Sequence, residues 1–180
     1  LDIAYDNTTM NPGNYSFEKM FSGGYFGGLS LFVLKAAAND GLFSSLASAR
    51  IRDLKELTAE DADSFLSDNN SKNNVLSSCF TDPADESSGK YLIDNIIDRS
   101  ARLVAANLAA VVLVTGKGTH PERPILITIE GTTFYKLHNL KLRFEGYFSD
   151  FLSGDRKRYV EFTEVKQSSL IGAALAGLID

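Results

Sequence analysis

Three segments of this chain place polar residues beside glycine or other small residues, where regular elements begin or end. The first is Phe17-Glu18-Lys19-Met20, followed by Ser22-Gly23. A carboxylate in a first helical turn is favoured by the helix dipole by roughly 0.3–1 kcal/mol. Glu18 is therefore either a first-turn charge alone or a fixed acceptor for the hydroxyls of a polyol, which carboxylates bind well. The second segment is the apolar run Ile125–Ile129, closed by Glu130-Gly131-Thr132-Thr133. That pattern puts polar groups at the carboxyl end of a strand, the edge where open α/β sheets bind ligands. It is equally the pattern of a turn with a satisfied threonine. The third is Gln167-Ser168-Ser169-Leu170-Ile171-Gly172-Ala173-Ala174. Its small residues admit either a ligand at the amides of a helix start or tight packing of that helix on a sheet.

Self-contained catalytic sets are absent from the sequence. Of the two histidines, His120 and His138, neither belongs to a His-Glu-x-x-His pair, so a zinc hydrolase of that kind is excluded. There is no Gly-x-Ser-x-Gly elbow, and Gly116-Lys117-Gly118-Thr119 is too short for a P-loop. The single cysteine, Cys79, forms no intramolecular disulfide and no metal-thiolate set, which favours a reducing, cytoplasmic setting. No metal site is expected. The net charge of −5 argues against a nucleic-acid partner, because that binding rests on neutralising phosphates. The run Arg156-Lys157-Arg158 reads as a solvated loop. No apolar run nears the ~20 residues that span a bilayer, so no membrane partner is expected.

The elements that position these segments follow from periodicity. Asn11-Pro12-Gly13-Asn14 signals a turn, after which Ser16 should cap a helix from Phe17 to Asn39. Gly23, Gly24, Gly27 and Gly28 fall inside that helix, so either it breaks there or the backbone is closely approached. Thr58-Ala59-Glu60-Asp61 resembles a capping box that opens a short helix. Ser67 to Lys90 reads mostly as loop. Ile93, Ile96, Ile97, Val104, Leu108 and Val111 recur at helical spacing over Lys90–Val114. A strand over Ile125–Ile129, continuous enough to be buried on both faces, precedes a helix carrying Leu140, Phe144, Tyr147, Phe148 and Phe151. A second strand spans Tyr159–Val165 and a small-residue helix Leu170–Ile179. The order βαβα implies a parallel crossover. Two strands make a poor sheet, and the polar start without methionine looks internal. At least one more strand is therefore expected from upstream sequence.

Together these segments resemble the hexokinase family over nearly the whole chain. Asn11-Pro12-Gly13, Phe17-Glu18-Lys19-Met20, Ser22-Gly23 and Tyr25 are similar to its Asn-Pro-Gly…(Phe/Tyr)-Glu-Lys-Met-x-Ser-Gly-x-Tyr stretch. Arg99-Ser100-Ala101 with Leu108-Ala109-Ala110-Val111 resembles its long helix beside the nucleotide. Glu130-Gly131-Thr132 with Tyr135-Lys136-Leu137-His138 resembles its adenosine segment, and Gly172-Ala173-Ala174-Leu175 its closing motif. The departures are glycines at 24 and 28 where charged residues are usual, Glu130 for an aspartate, and Ser168-Ser169-Leu170-Ile171 for Gly-Ser-Gly-Lys.

The resemblance implies an α/β fold: residues 1–180 would be the C-terminal part of the large lobe of the actin-like, RNase H-like ATPase architecture. It implies Glu18 as a contact to hexose hydroxyls, and Asp98, Arg99, Gly131, Thr132, Ser169 and Gly172 along the nucleotide. It implies a glycolytic enzyme moving the γ-phosphoryl group of ATP, with Mg2+, to the 6-hydroxyl of a hexose such as glucose. The missing N-terminal half would be the partner that completes it. No catalytic residue is assigned within the chain, because the family's catalytic aspartate and phosphate loops precede the matched region. The alternative is a non-catalytic sugar- or nucleotide-binding or regulatory module on the same fold.

Overall fold

The computed structural model describes residues 1–67, 74–164 and 168–178. Helices α1 (Asp2–Asp6), α2 (Ser16–Lys19), α3 (Gly23–Asn39), α4 (Ser45–Asp53), α5 (Ala59–Leu66) and α6 (Pro83–Val114) precede strand β1 (Ile125–Thr128). Then come α7 (Thr132–Lys136), α8 (Leu140–Phe151), a 3-10 turn at Gly154–Arg156, strand β2 (Val160–Thr163) and α9 (Ser168–Ala176). The fold is α/β and helix-rich. No described helix is long and apolar enough to cross a membrane.

The helix expected over Phe17–Asn39 is two helices. Tyr15, with φ 55° in the left-handed region, reverses the chain before α2, so Ser16 lies in the first turn rather than capping it. The amides of Phe21 and Ser22 both donate to the Glu18 carbonyl at 3.1 and 2.9 Å and close α2. Ser22 is extended and starts α3. The glycines therefore sit in the first turns of α3, not at the break. A Cβ on Gly27 would stand 2.1 Å from the carbonyl oxygen of Leu57. Close backbone approach, the second reading of the glycines, is what the fold uses there.

Helix α4 was not expected. It is capped by Ser44, whose Oγ accepts from the Ala47 amide at 3.3 Å. The Ser44 amide in turn donates to Asp85 at 2.9 Å and its hydroxyl to the same carboxylate at 2.5 Å. The capping box at Thr58 forms as read: Thr58 Oγ1 accepts from the Asp61 amide, and Asp61 accepts from the Thr58 amide, both at 3.0 Å. The loop expected to reach Lys90 ends earlier. Asp82 caps α6 by accepting from the Ala84 amide at 2.7 Å, and Pro83 occupies the first helical position, where its missing N–H costs nothing. Residues 68–73 of that expected loop, Val165 of the second strand and Ile179 of the last helix lie outside the described residues.

β1 and β2 pair in parallel, Ile125 opposite Val160 and Ile127 opposite Phe162. The crossover is therefore confirmed. Burial of β1 on both faces is not: Ile125 and Ile127 are half-buried while Leu126 is 65% exposed. Helix α8 covers one face only. There Phe144 and Phe148 meet Phe162 with ring centroids 5.5 and 5.2 Å apart. Helix α6 forms the spine of the lobe, burying Ile93, Ile97, Ala101, Ala105 and Val112. Arg143 of α8 is tied to it by a 2.5 Å ion pair with Asp94.

Two neighbouring glycines give a test of the packing. Gly27→Ala forces the Leu57–Thr58 backbone aside and should lower the unfolding free energy by about 1–3 kcal/mol. Gly24→Ala, whose Cβ meets nothing within 4 Å, should raise it by up to about 1 kcal/mol through helix propensity. Urea unfolding of the two variants checks the opposite signs.

Candidate functional site

Glu18 owes its position to the residue that follows it. Lys19 is fully buried, and its ammonium donates to Asp6 Oδ1 and to the Asn11 carbonyl, each at 2.6 Å. The other oxygen of Asp6 accepts the Gly13 amide at 2.6 Å. A buried ammonium persists only when its protons are taken up this way. The Asn-Pro-Gly turn, α1 and α2 are thus bound into one unit. Lys19 points inward and Glu18, one residue earlier, is exposed. Among the described residues the Glu18 carboxylate makes no hydrogen bond or ion pair.

The corner after Glu18 is fastened twice more. Ser100, buried on α6, donates its hydroxyl to the carbonyls of Ile96 (2.8 Å) and Met20 (3.2 Å). Gly23 lies so close to α7 that a Cβ there would stand 2.0 Å from Thr133 Oγ1. The α2–α3 corner and the β1–α7 corner therefore meet, and between them a cleft of about 270 Å³ opens. Its lining includes Ser22, Gly23, Val104, Ile129, Gly131 and Phe134. Gly131 adopts φ 138° at the start of α7, a conformation that side-chain-bearing residues rarely reach. Next to it, the Glu130 carboxylate accepts from the Ser169 amide at 3.1 Å and the Ser169 hydroxyl at 3.0 Å.

The residues singled out from the sequence are thus partly gathered. Gly131 lines the cleft and Thr132 follows it into α7. Ser169 is drawn to the same strand end through Glu130. Glu18 lies one helical turn before the cleft's Ser22. Asp98 and Arg99 do not line the cleft. Asp98 accepts from the Tyr147 hydroxyl at 2.7 Å and from Arg102 at 3.1 Å, whereas Arg99 turns to Asp2 at 2.5 Å and Met20 Sδ at 3.9 Å. Gly172 is exposed with open space around it, and Leu170 and Leu175 of the same helix are 65% and 56% exposed. Tight packing of that helix, one of the two readings of its small residues, is not seen among the described residues. Sequence reasoning missed Asp6, Lys19, Ser100 and Thr133 as positioning residues. Only the unusual Asn-Pro-Gly…Glu-Lys spacing pointed toward the first two.

Comparison with known proteins identifies this arrangement. A family model described as hexokinase matches residues 1–179, and the chain belongs to the hexokinase family. Hexokinase-1 of Rattus norvegicus is 30% identical over 146 residues, covering 77% of this chain and 16% of its own length. Hexokinase-2 of Solanum tuberosum is 25% identical over 186 residues, covering 97% of this chain and 38% of its own length. This chain therefore spans well under half the length of those relatives. A solved hexokinase structure superposes with TM-score 0.69 at 23% identity, covering 91% of this chain and 37% of that one. Hexokinase from Schistosoma mansoni complexed with glucose gives 0.67 at 20%, covering 96% and 39%. The fold is that of the corresponding part of these hexokinase structures.

The Lys19 ammonium first, and the Gly13 amide second, hold the Asp6 carboxyl below its ordinary value of 3.8. A lowered folded pKa contributes stability that is fully present above the unfolded value and lost as pH falls through the folded one. Wild-type stability should therefore drop on acidification through and below that ordinary carboxylate value. Asp6→Asn should be less stable at neutral pH, with its Lys19 unpaired, and should show a flatter acid slope. Urea melts across that pH range compare the two.

Proposed function

We propose that this chain is the sugar-contacting, nucleotide-bordering part of an ATP-dependent hexokinase, and that the intact enzyme moves the γ-phosphoryl group of ATP to the 6-hydroxyl of a hexose such as glucose. The observation that carries the reading is the exposed, unpartnered carboxylate of Glu18 on a corner fixed by the buried Lys19–Asp6 pair. A rigid anionic acceptor with no internal partner suits sugar hydroxyls, because binding them costs little reordering.

The second half of the proposal concerns the strand end. Gly131, Thr132 and Ser169 would border the nucleoside of ATP, with Gly172 beyond them, and Asp98 and Arg99 would brace α6 rather than touch the ligand. The apolar walls of the cleft, Ile129, Val104 and Phe134, fit the nucleoside end. The phosphates do not belong at Ser169, whose amide and hydroxyl are already held by the Glu130 carboxylate. Among the described residues no group of three His, Cys, Asp or Glu side chains is arranged to hold an ion. ATP would be used as its Mg2+ complex, the ion supplying charge neutralisation for the transfer. In this reading the catalytic base comes from the part of the enzyme before the matched region, and residues 1–180 would be one part of a single catalytic domain. A cytoplasmic, glycolytic role belongs to the same proposal and rests on the reduced, buried Cys79 and on the family.

Two measurements test it. Glu18→Ala in the intact enzyme should weaken glucose binding by about 10–100-fold, the worth of hydrogen bonds to a charged group, with the fold retained. An unchanged glucose affinity would end the proposal. The 180-residue chain alone should form no sugar phosphate in a coupled assay. If the intact protein binds glucose and ATP but transfers nothing, the non-catalytic module is the correct reading.

A further inference from the structure

The two parallel strands start at the opposite end of the sheet from Glu130, and that end carries an unusual charge pattern. A pocket of about 530 Å³ there is lined by Lys117, Gly118, Thr119, His120, Arg123 and the first residues of β1. The volume is within the range of small-molecule sites. Elsewhere the cations are mostly engaged: Lys19, Lys90, Arg99, Arg102 and Arg143 each face a carboxylate. Among the described residues the side chains of Lys117, His120 and Arg123 make no hydrogen bond or ion pair.

The loop that presents them is pinned. Gly118 is buried at φ 71°, its carbonyl accepts the Tyr159 amide at 2.7 Å, and a Cβ on it would stand 2.9 Å from the Tyr159 carbonyl oxygen. The Arg123 amide closes the loop onto the His120 carbonyl at 3.1 Å. Because Tyr159 is the stitch, Arg156, Lys157 and Arg158 are brought to the same end of the sheet. Lys157 and Arg158 line a neighbouring pocket under α8, where the Nε of Arg158 is buried without a hydrogen-bond partner. Glu122 and Asp155 belong to these two segments, and neither they nor Arg156, Lys157 and Arg158 line the pocket itself.

We propose that this strand-start end is a second ligand site, which takes a small metabolite bearing two or more phosphate charges. Lys117 and Arg123 grip the phosphates, and the Arg156–Arg158 run supplies the attracting field. A guanidinium fork and an ammonium on a rigid loop suit compact multivalent phosphate. A concave, pinned pocket on a chain of net charge −5 favours a small anion over a long polyanion, which needs an extended basic track. The site is independent of the cleft at Gly131, at the other end of the same strands.

The test uses the full chain and inorganic pyrophosphate as the probe, read by calorimetry and thermal shift. Wild type should bind and gain thermal stability. The double variant Lys117→Gln/Arg123→Gln, at exposed positions that leave the core intact, should lose at least about tenfold in affinity, with an unchanged circular dichroism spectrum. Ser169→Ala, at the opposite end, should bind like wild type. No binding by wild type, undiminished binding by the double variant, or loss of binding in Ser169→Ala would each overturn the proposal. So would association with phosphatidylserine vesicles but not with pyrophosphate.

Discussion

The ion pair between Lys19 and Asp6 is the contact on which the sugar-facing corner depends. Burying an ammonium is costly unless it is paired and hydrogen-bonded, and here Asp6 and the Asn11 carbonyl accept from Lys19. The same carboxylate holds the Gly13 amide, so one charged cluster sets α1, the Asn-Pro-Gly turn and α2 relative to each other. Removing either partner would leave the other buried and unpaired. Glu18 gains its exposure from this arrangement, because the corner is pinned by its neighbour and not by its own carboxylate.

Helix α6 carries that order to the rest of the lobe. Along its length Asp85 takes Ser44, Asp94 takes Arg143, Asp98 takes Tyr147 and Ser100 takes the Met20 carbonyl. Each polar contact lies beside a row of buried Ile and Ala side chains. The apolar row supplies burial without direction, while the polar contacts fix rotation and register of the neighbouring helices. The lobe thereby acquires two distinct ends. The ends of the strands meet the α2–α3 corner in a largely apolar cleft bordered by the exposed carboxylates of Glu130 and Glu18. Their starts gather unpartnered cations. The two ends of this small sheet therefore differ in electrostatic character.

The sequence by itself determined the elements whose signals are local. The Thr58–Asp61 capping box, the apolar period of α6 over its C-terminal two-thirds, the two strands and their parallel crossover were all readable, because each depends on neighbours a few residues apart. The family was readable too, through Glu18 and its spaced companions. The front of α6 was missed: Ser87, Ser88 and Gly89 look like loop, yet Gly89 is buried where a Cβ would meet the Phe80 ring at 2.6 Å. Helix α4 was missed because its cap Ser44 is completed by Asp85, 41 residues away. Only the tertiary structure decided that Lys19 is an interior residue, that Ser100 holds Met20, and that Gly23 meets Thr133. It also decided that the basic residues at 117–123 and 156–158 share one end of the sheet. Those facts are contacts between distant parts of the chain, set by which faces bury together, and no local pattern of residue types encodes them.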